Sequence, residues 1–97
     1  MVIIALDHVQ HCFSQADGAV IHDLIAPHIA AGQSLTLSFT GVEDVTSSFV
    51  NSALVPLVEK HGAPFVKSRL QIVRATSQVA DTIKRCFANA ERLLLVA

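Results

Sequence analysis

An alternation in the middle of the chain constrains everything around it. Leu35, Leu37 and Phe39 interleave with Ser34, Thr36, Ser38 and Thr40. A period of two gives one apolar and one polar face only in an extended strand. Gly41 follows, and glycine can take the φ > 0 geometry that lets a strand turn sharply. After the acidic pair Glu43 and Asp44 come Thr46, Ser47 and Ser48, hydroxyls placed where the first amides of a helix need acceptors. A strand, a glycine turn and a hydroxyl-capped helix in succession make a β–α unit. The polar alternate face of the strand implies that helices cover mainly one side of its sheet, because a strand buried on both faces reads apolar throughout.

The flanking sequence repeats the same grammar. Residues 2–6 form an apolar run that reads as a first strand, and His8 to Phe13 either continue it or pair with it as a second strand. Ser14 caps a helix carrying Val20, Ile21, Leu24, Ile25 and Ile29 at helical spacing, and Gly32 stops it. A second helix starts near Ser47. Its Phe49, Val50, Ala53, Leu54, Leu57 and Val58 form one apolar stripe, and Gly62 and Pro64 end it. Residues 69–74 form the next strand. Thr76 or Ser77 then caps a last helix, with Val79, Ile83, Cys86, Phe87, Ala90 and Leu94 directed inward. The order β(β)αβαβα predicts a single α/β domain over residues 1–97. Its sheet has four to five mostly parallel (mixed) strands, with three principal helices mainly on one face. Pro27 and Pro56 fall inside two of these helices. Each removes a main-chain bond and crowds the preceding turn, at a cost of roughly 3 kcal/mol in a helix interior, so kinks or early ends are expected there.

The resemblance rests on Ser38-Phe39-Thr40-Gly41-Val42 followed by Ser47-Ser48-Phe49. This pattern resembles the bacterial STAS-like domain family of unknown function, a relative of the STAS domains of anti-sigma factor antagonists. Phe13-Ser14-Gln15-Ala16-Asp17-Gly18 is similar to the family's first helix entry, and Arg69-Leu70-Gln71-Ile72-Val73 falls where its next strand would lie. The similarity runs from about His11 to about Arg92. Two positions depart from the family: Gln15 stands where Arg is usual, and Ser38 where an acid precedes the Phe. In the antagonists the matching turn reads Asp-Ser-Ser-Gly and its second serine is phosphorylated by a partner kinase. The resemblance places that serine at Ser48, with Thr46 in place of the acid and Phe49 in place of the glycine.

What the resemblance implies is a protein-interaction and regulatory module in bacterial signalling. The implied partner is a histidine-kinase-like ATPase or an anti-sigma-like regulator, with Ser47 and Ser48 as candidate phosphorylation sites. On a helical wheel Ser48, Asn51, Ser52, Val55 and Glu59 share the side opposite the apolar stripe. That face reads either as a solvated surface with a serine cap or as the partner-binding edge. The alternative function is a small-ligand or nucleotide-sensing module using the loop from Gly41 to Ser48.

Composition closes off other classes. With 52% hydrophobic and 15% charged residues, the chain either buries its elements thoroughly or hides apolar surface in a partner. A homodimer is expected, through the apolar tail Leu93-Leu94-Leu95-Val96-Ala97 or a sheet edge. A net charge of −1 and the lack of Trp and Tyr give neither an electrostatic footprint nor a stacking platform for nucleic acid. No apolar run approaches the ~20 residues that span a bilayer. Met1 to Leu6 lacks the basic start and length of a signal peptide, so the chain reads as cytoplasmic. Cys12 and Cys86 are isolated thiols, read as buried and unpaired.

No cofactor or metal is predicted. His8 and His11 have opposite strand parity, and there is no HExxH or paired-cysteine spacing. No G-x-S-x-G elbow surrounds Ser48, and His61 lies at the far end of its helix. Glu43 and Asp44 read as solvated turn residues. No Walker A loop or dinucleotide fingerprint occurs. The chain therefore reads as a non-enzyme.

Overall fold

The computed structural model describes residues 1–96, with side chains described as far as Arg92. Three parallel strands, β1 (Val2–Ile4), β2 (Leu35–Ser38) and β3 (Leu70–Val73), form one sheet in the order β1-β2-β3. The helices are α1 (Gln15–Ala30), α2 (Ser47–Ala53), α3 (Val55–His61), α4 (Ala63–Arg69) and α5 (Ser77–Val96). Ile3, Leu37 and Ile72 sit in register across the sheet, as do Leu35 and Leu70. This row faces the helices, and Leu37 is fully buried. The opposite face carries Val2, Thr36 and Gln71 in register; Val2 and Gln71 are exposed and Thr36 half-buried.

Parallel neighbours taken in chain order, each joined by a crossover of the usual hand, put their crossover helices on one face. The packing agrees: α1 lies along α2, and α3 and α2 both touch α5. Between sheet and helices lies one core, with Phe39, Phe49, Ile21, Ile25, Leu54 and Val58 among its fully buried side chains. Phe39, the residue after β2, meets Phe49 of α2 edge to face at 6.4 Å between centroids, a preferred geometry for ring quadrupoles. That contact fixes the start of α2 over the end of the central strand.

The described residues form three strands where four to five were expected. The segment from His8 to Phe13 accounts for one. After β1 the chain makes a short 3-10 turn at Ala5–Asp7, which ends on a His8 amide bonded to the Ala5 carbonyl at 3.0 Å, and runs on as loop to Ser14. The principal helices number five rather than three because the 47–62 stripe and the segment after it are divided. Pro56 cannot donate to the turn before it, so α2 ends at Ala53 and α3 begins at Val55 with proline in its first turn. Gly62, at φ +86°, then turns the chain into α4. Residues 63–69 supply no strand until Leu70. Pro27 behaves differently: α1 continues through it to Ala30. It is exposed, as is Asp23 one turn earlier, so the Asp23 carbonyl that loses its donor can bond water instead. The inward position assigned to Leu94 and the tail Leu93–Ala97 lie outside the described side chains.

Candidate functional site

The site is assembled by two hydroxyl caps and one glycine. Ser14 Oγ accepts the Asp17 amide at 3.1 Å and starts α1. Thr46 Oγ1 accepts the Phe49 amide at 3.2 Å and starts α2. The same Thr46 hydroxyl donates to the Phe13 carbonyl at 2.6 Å, while the Thr46 amide donates to the Cys12 carbonyl at 3.2 Å. Ser52 Oγ donates to the Gln15 carbonyl at 2.7 Å. The entry of α1 and the whole of α2 are thereby tied together. Gly18 makes this possible. It is buried in α1, and a Cβ there would strike the Phe49 carbonyl oxygen and the Ser52 Cβ. No side chain but hydrogen fits between the two backbones.

The connection between β2 and α2 is pinned from its other side as well. Gly41 takes φ +81°, and Val42 donates to the Phe39 carbonyl at 2.9 Å. Thr76 Oγ1 donates to the Glu43 carbonyl at 2.9 Å and accepts the Val79 amide at 3.2 Å. Gln78 Oε1 accepts the Val45 amide at 3.3 Å. Thr46 and Thr76 thus do the same double work. Each caps its own helix and donates its proton to a distant carbonyl, which a capping carboxylate cannot do.

The two serines of the turn point to different places. Ser47, also exposed, lies near the Cys86 thiol of α5. Burial raises the thiol above its ordinary value, and the nearby Ser47 hydroxyl and the Arg85 charge partly oppose that. Ser48 is exposed and, with Gln15, Asn51 and Ser52, lines a polar depression of about 250 Å³. Three of the five wheel residues, Ser48, Asn51 and Ser52, therefore share one surface. Val55 and Glu59 do not join them. The break at Leu54 ends the shared helical phase; Val55 is half-buried and packs on the core, and Glu59 is exposed on α3.

Two neighbours of this surface lie outside the five residues that the helical wheel selects. Gln15 lines the depression itself. Phe13 is 51% exposed, its ring stacked on His11 at 5.8 Å, and its carbonyl holds the α2 cap. The only signal for Phe13 was a large apolar residue next to a cap, and that pattern serves a buried contact equally well. Glu43 and Asp44 line a separate depression of about 180 Å³ beside Leu6, Gln10 and Phe13, so the loop from Gly41 to Ser48 borders no single cavity among the described residues.

Cys12 is buried, and its thiol is pushed up to about 11, mainly by loss of solvation and also by the Asp17 charge. Among the described residues no three His, Cys, Asp or Glu side chains converge to hold a metal ion, and no helix is long and apolar enough to cross a membrane.

Comparison with curated proteins and with solved structures finds no match. The model of a STAS-like domain of unknown function (DUF4325) matches residues 17–80. That span runs from the first turn of α1 to the first turn of α5 and contains Gly18, β2, the pinned loop, Ser48 and β3. It is narrower than the region of sequence resemblance at both ends. With most of its length inside the match, and with a parallel α/β core built around the strand–glycine–serine-helix unit, the chain belongs to the STAS-like domain family of unknown function.

Proposed function

We propose that this domain is a protein-interaction module in bacterial signalling, in the cytoplasm, read by a histidine-kinase-like ATPase or an anti-sigma-like regulator through the surface around Ser48. The single observation that carries this reading is the place of Ser48 in the polar depression between α1 and α2. Both Ser47 and Ser48 are exposed, but only Ser48 lines the depression, on a shelf with Gln15 and Asn51. A phosphate on Ser48 would add about −2 charge to a depression lined by no charged side chain. Phe13 supplies an exposed aromatic at the same helix junction, the residue type that dominates interface energetics. Ser48, Asn51, Ser52 and Phe13 thus form the partner surface, with Ser48 rather than Ser47 as the phosphorylation site.

Val55 is a poor probe of this surface, because Val55→Asp would put a charge against the core. Phe13→Asp and Ser48→Asp are the informative variants. Each is expected to weaken the partner ATPase by about tenfold, ~1.4 kcal/mol, with the melting temperature preserved. Incubation with that ATPase and ATP, followed by mass spectrometry, is expected to place phosphate on Ser48. Phosphate on Ser47 alone, or unchanged affinity in both variants, refutes the assignment.

The ligand-sensing alternative has less support. The depression beside Gly41 is smaller than the roughly 300 Å³ at which ligand pockets begin, and its two acids disfavour nucleotide phosphates. A saturable rise in melting temperature with nucleotide would reverse that preference. A homodimer stays an expectation of apolar content, tested by sedimentation at high micromolar concentration.

A further inference from the structure

The edge strand β3 leaves part of its backbone unused. Phe39 donates its amide to the Val73 carbonyl at 3.0 Å. In a parallel ladder a residue turns its N–H and C=O toward one neighbour, and the next residue turns both away. Gln71 and Val73 therefore serve β2, and Leu70, Ile72 and Arg74 point outward. The Leu70 amide is taken by the Val66 carbonyl. The Leu70 and Ile72 carbonyls and the Ile72 and Arg74 amides have no backbone partner among the described residues.

A groove of about 450 Å³ runs beside this edge, between β3, α4 and α5. Val66, Leu70, Ile72, Ile83 and Phe87 give it an apolar floor. Lys67, Lys84 and Arg92 stand on its rim with one acid, Glu91, which Lys67 already holds at 3.2 Å. The positive surplus continues beyond the rim. Residues 67–97 contain six of the seven Lys and Arg and only two of the eight acids.

These features select one occupant. Unused main-chain donors and acceptors in a row favour an extended chain over a helix or a small molecule. The floor favours apolar side chains at every second position, since only alternate residues of an added strand face α5. The rim favours acids. A second copy of this chain would bring the same basic rim to the edge, and like charges opposite one another oppose pairing. We infer that the β3 edge and the groove under α5 accept an extended segment of a partner protein, apolar at alternate positions and acidic at its flanks, as a fourth strand. This surface is built from α4, β3 and α5, apart from the Ser48 shelf on α1 and α2, and it stands whether or not Ser48 is a switch.

The probe is a fluorescein-labelled synthetic peptide of about eight residues alternating isoleucine with glutamate, titrated into the full chain by anisotropy. Two comparison peptides have lysine in place of glutamate, or the same composition with the isoleucines grouped together. The alternating acidic peptide is expected to bind at least about tenfold more tightly than either and to slow exchange of the Ile72 and Arg74 amides. Lys84→Glu, an exposed change on α5, is expected to weaken it by about tenfold; Ser48→Asp is expected to leave it unchanged. Ile72→Pro removes an outward amide and part of the apolar floor while leaving the bonds to β2, and is expected to weaken binding at least as much if the variant melts as the parent does. Equal binding of the grouped peptide, no saturation by about 1 mM, or unaltered amide exchange overturns the proposal. So does self-association through this edge that the peptide fails to dissociate.

Discussion

At the scale of single residues, chemistry read from composition and chemistry imposed by neighbours give opposite answers. By helix propensity Gly18→Ala should stabilise α1 by about 1 kcal/mol. The contact with the Phe49 carbonyl and the Ser52 Cβ, 2.8 Å from an added methyl, reverses the sign. We expect a net loss of about 1–3 kcal/mol, as for an overpacked core, measured as a lower urea midpoint. Cys12 offers a second reversal. A free thiol ionises near 9.0, but the folded Cys12 holds its proton to about 11. Between those values the unfolded state binds fewer protons, so stability falls as pH rises from 9 to 11. The loss should reach the order of 2 kcal/mol, and it should shrink in Cys12→Ala relative to the parent over the same pH range. Arg74 sits at φ +57°, where a Cβ crowds the following carbonyl. Arg74→Asn, which tolerates that region better, is expected to raise the urea midpoint, by about 0.5 kcal/mol.

Secondary-structure elements here are positioned by shared caps as much as by their apolar stripes. The antagonist turn has an acid where this chain has Thr46. An aspartate there would cap α2 at least as well as threonine. It would have no proton for the Phe13 carbonyl, and that buttress between α1 and α2 would be lost. Thr46→Asp is expected to cost about 1 kcal/mol and Thr46→Ser almost nothing, by equilibrium denaturation. If the aspartate variant is as stable as the parent, the hydroxyl's second bond is energetically idle. The break at Pro56 is the other element-level device. It ends the phase of α2, turns Val55 toward the core, and leaves Ser48, Asn51 and Ser52 as a short polar face of their own.

For the molecule as a whole, the sheet's one-sidedness and open edge govern where partners can approach. Helices occupy the Leu37 face, and the far face mixes Val2, Ile4 and Val73 with Thr36, Ser38 and Gln71. Amide exchange along β3 should therefore alternate: Gln71 and Val73 slow, Ile72 and Arg74 fast. Uniform protection would mean that the edge is already covered. Charge is divided as well, acidic before Lys67 and basic from there on, so the Ser48 surface and the β3 groove suit partners of different charge. A salt titration separates the two. Groove binding by the acidic peptide should weaken steeply with ionic strength, whereas partner capture at the uncharged Ser48 shelf should respond weakly.

The alternation at 34–40, the glycine at 41 and the hydroxyls at 14, 46 and 76 were sufficient to determine the central strand, its turn and three helix starts. These are local signals, carried by period and by capping chemistry, and they also carried the family resemblance. Tertiary structure alone decided the rest. Whether His8 to Phe13 forms a strand depends on having an edge to pair with, and the 3-10 turn after β1 carries it away from one. Which of two adjacent exposed serines joins the depression depends on Gln15 of α1, more than thirty residues away in sequence. Gly18 looks like an ordinary helix glycine until α2 is laid across it. The groove under α5 is invisible in the pattern, because Ile83 and Phe87 have the same spacing whether a strand lies beneath them or not. Period and capping are properties of neighbours in the chain; coverage and exposure are properties of neighbours in space.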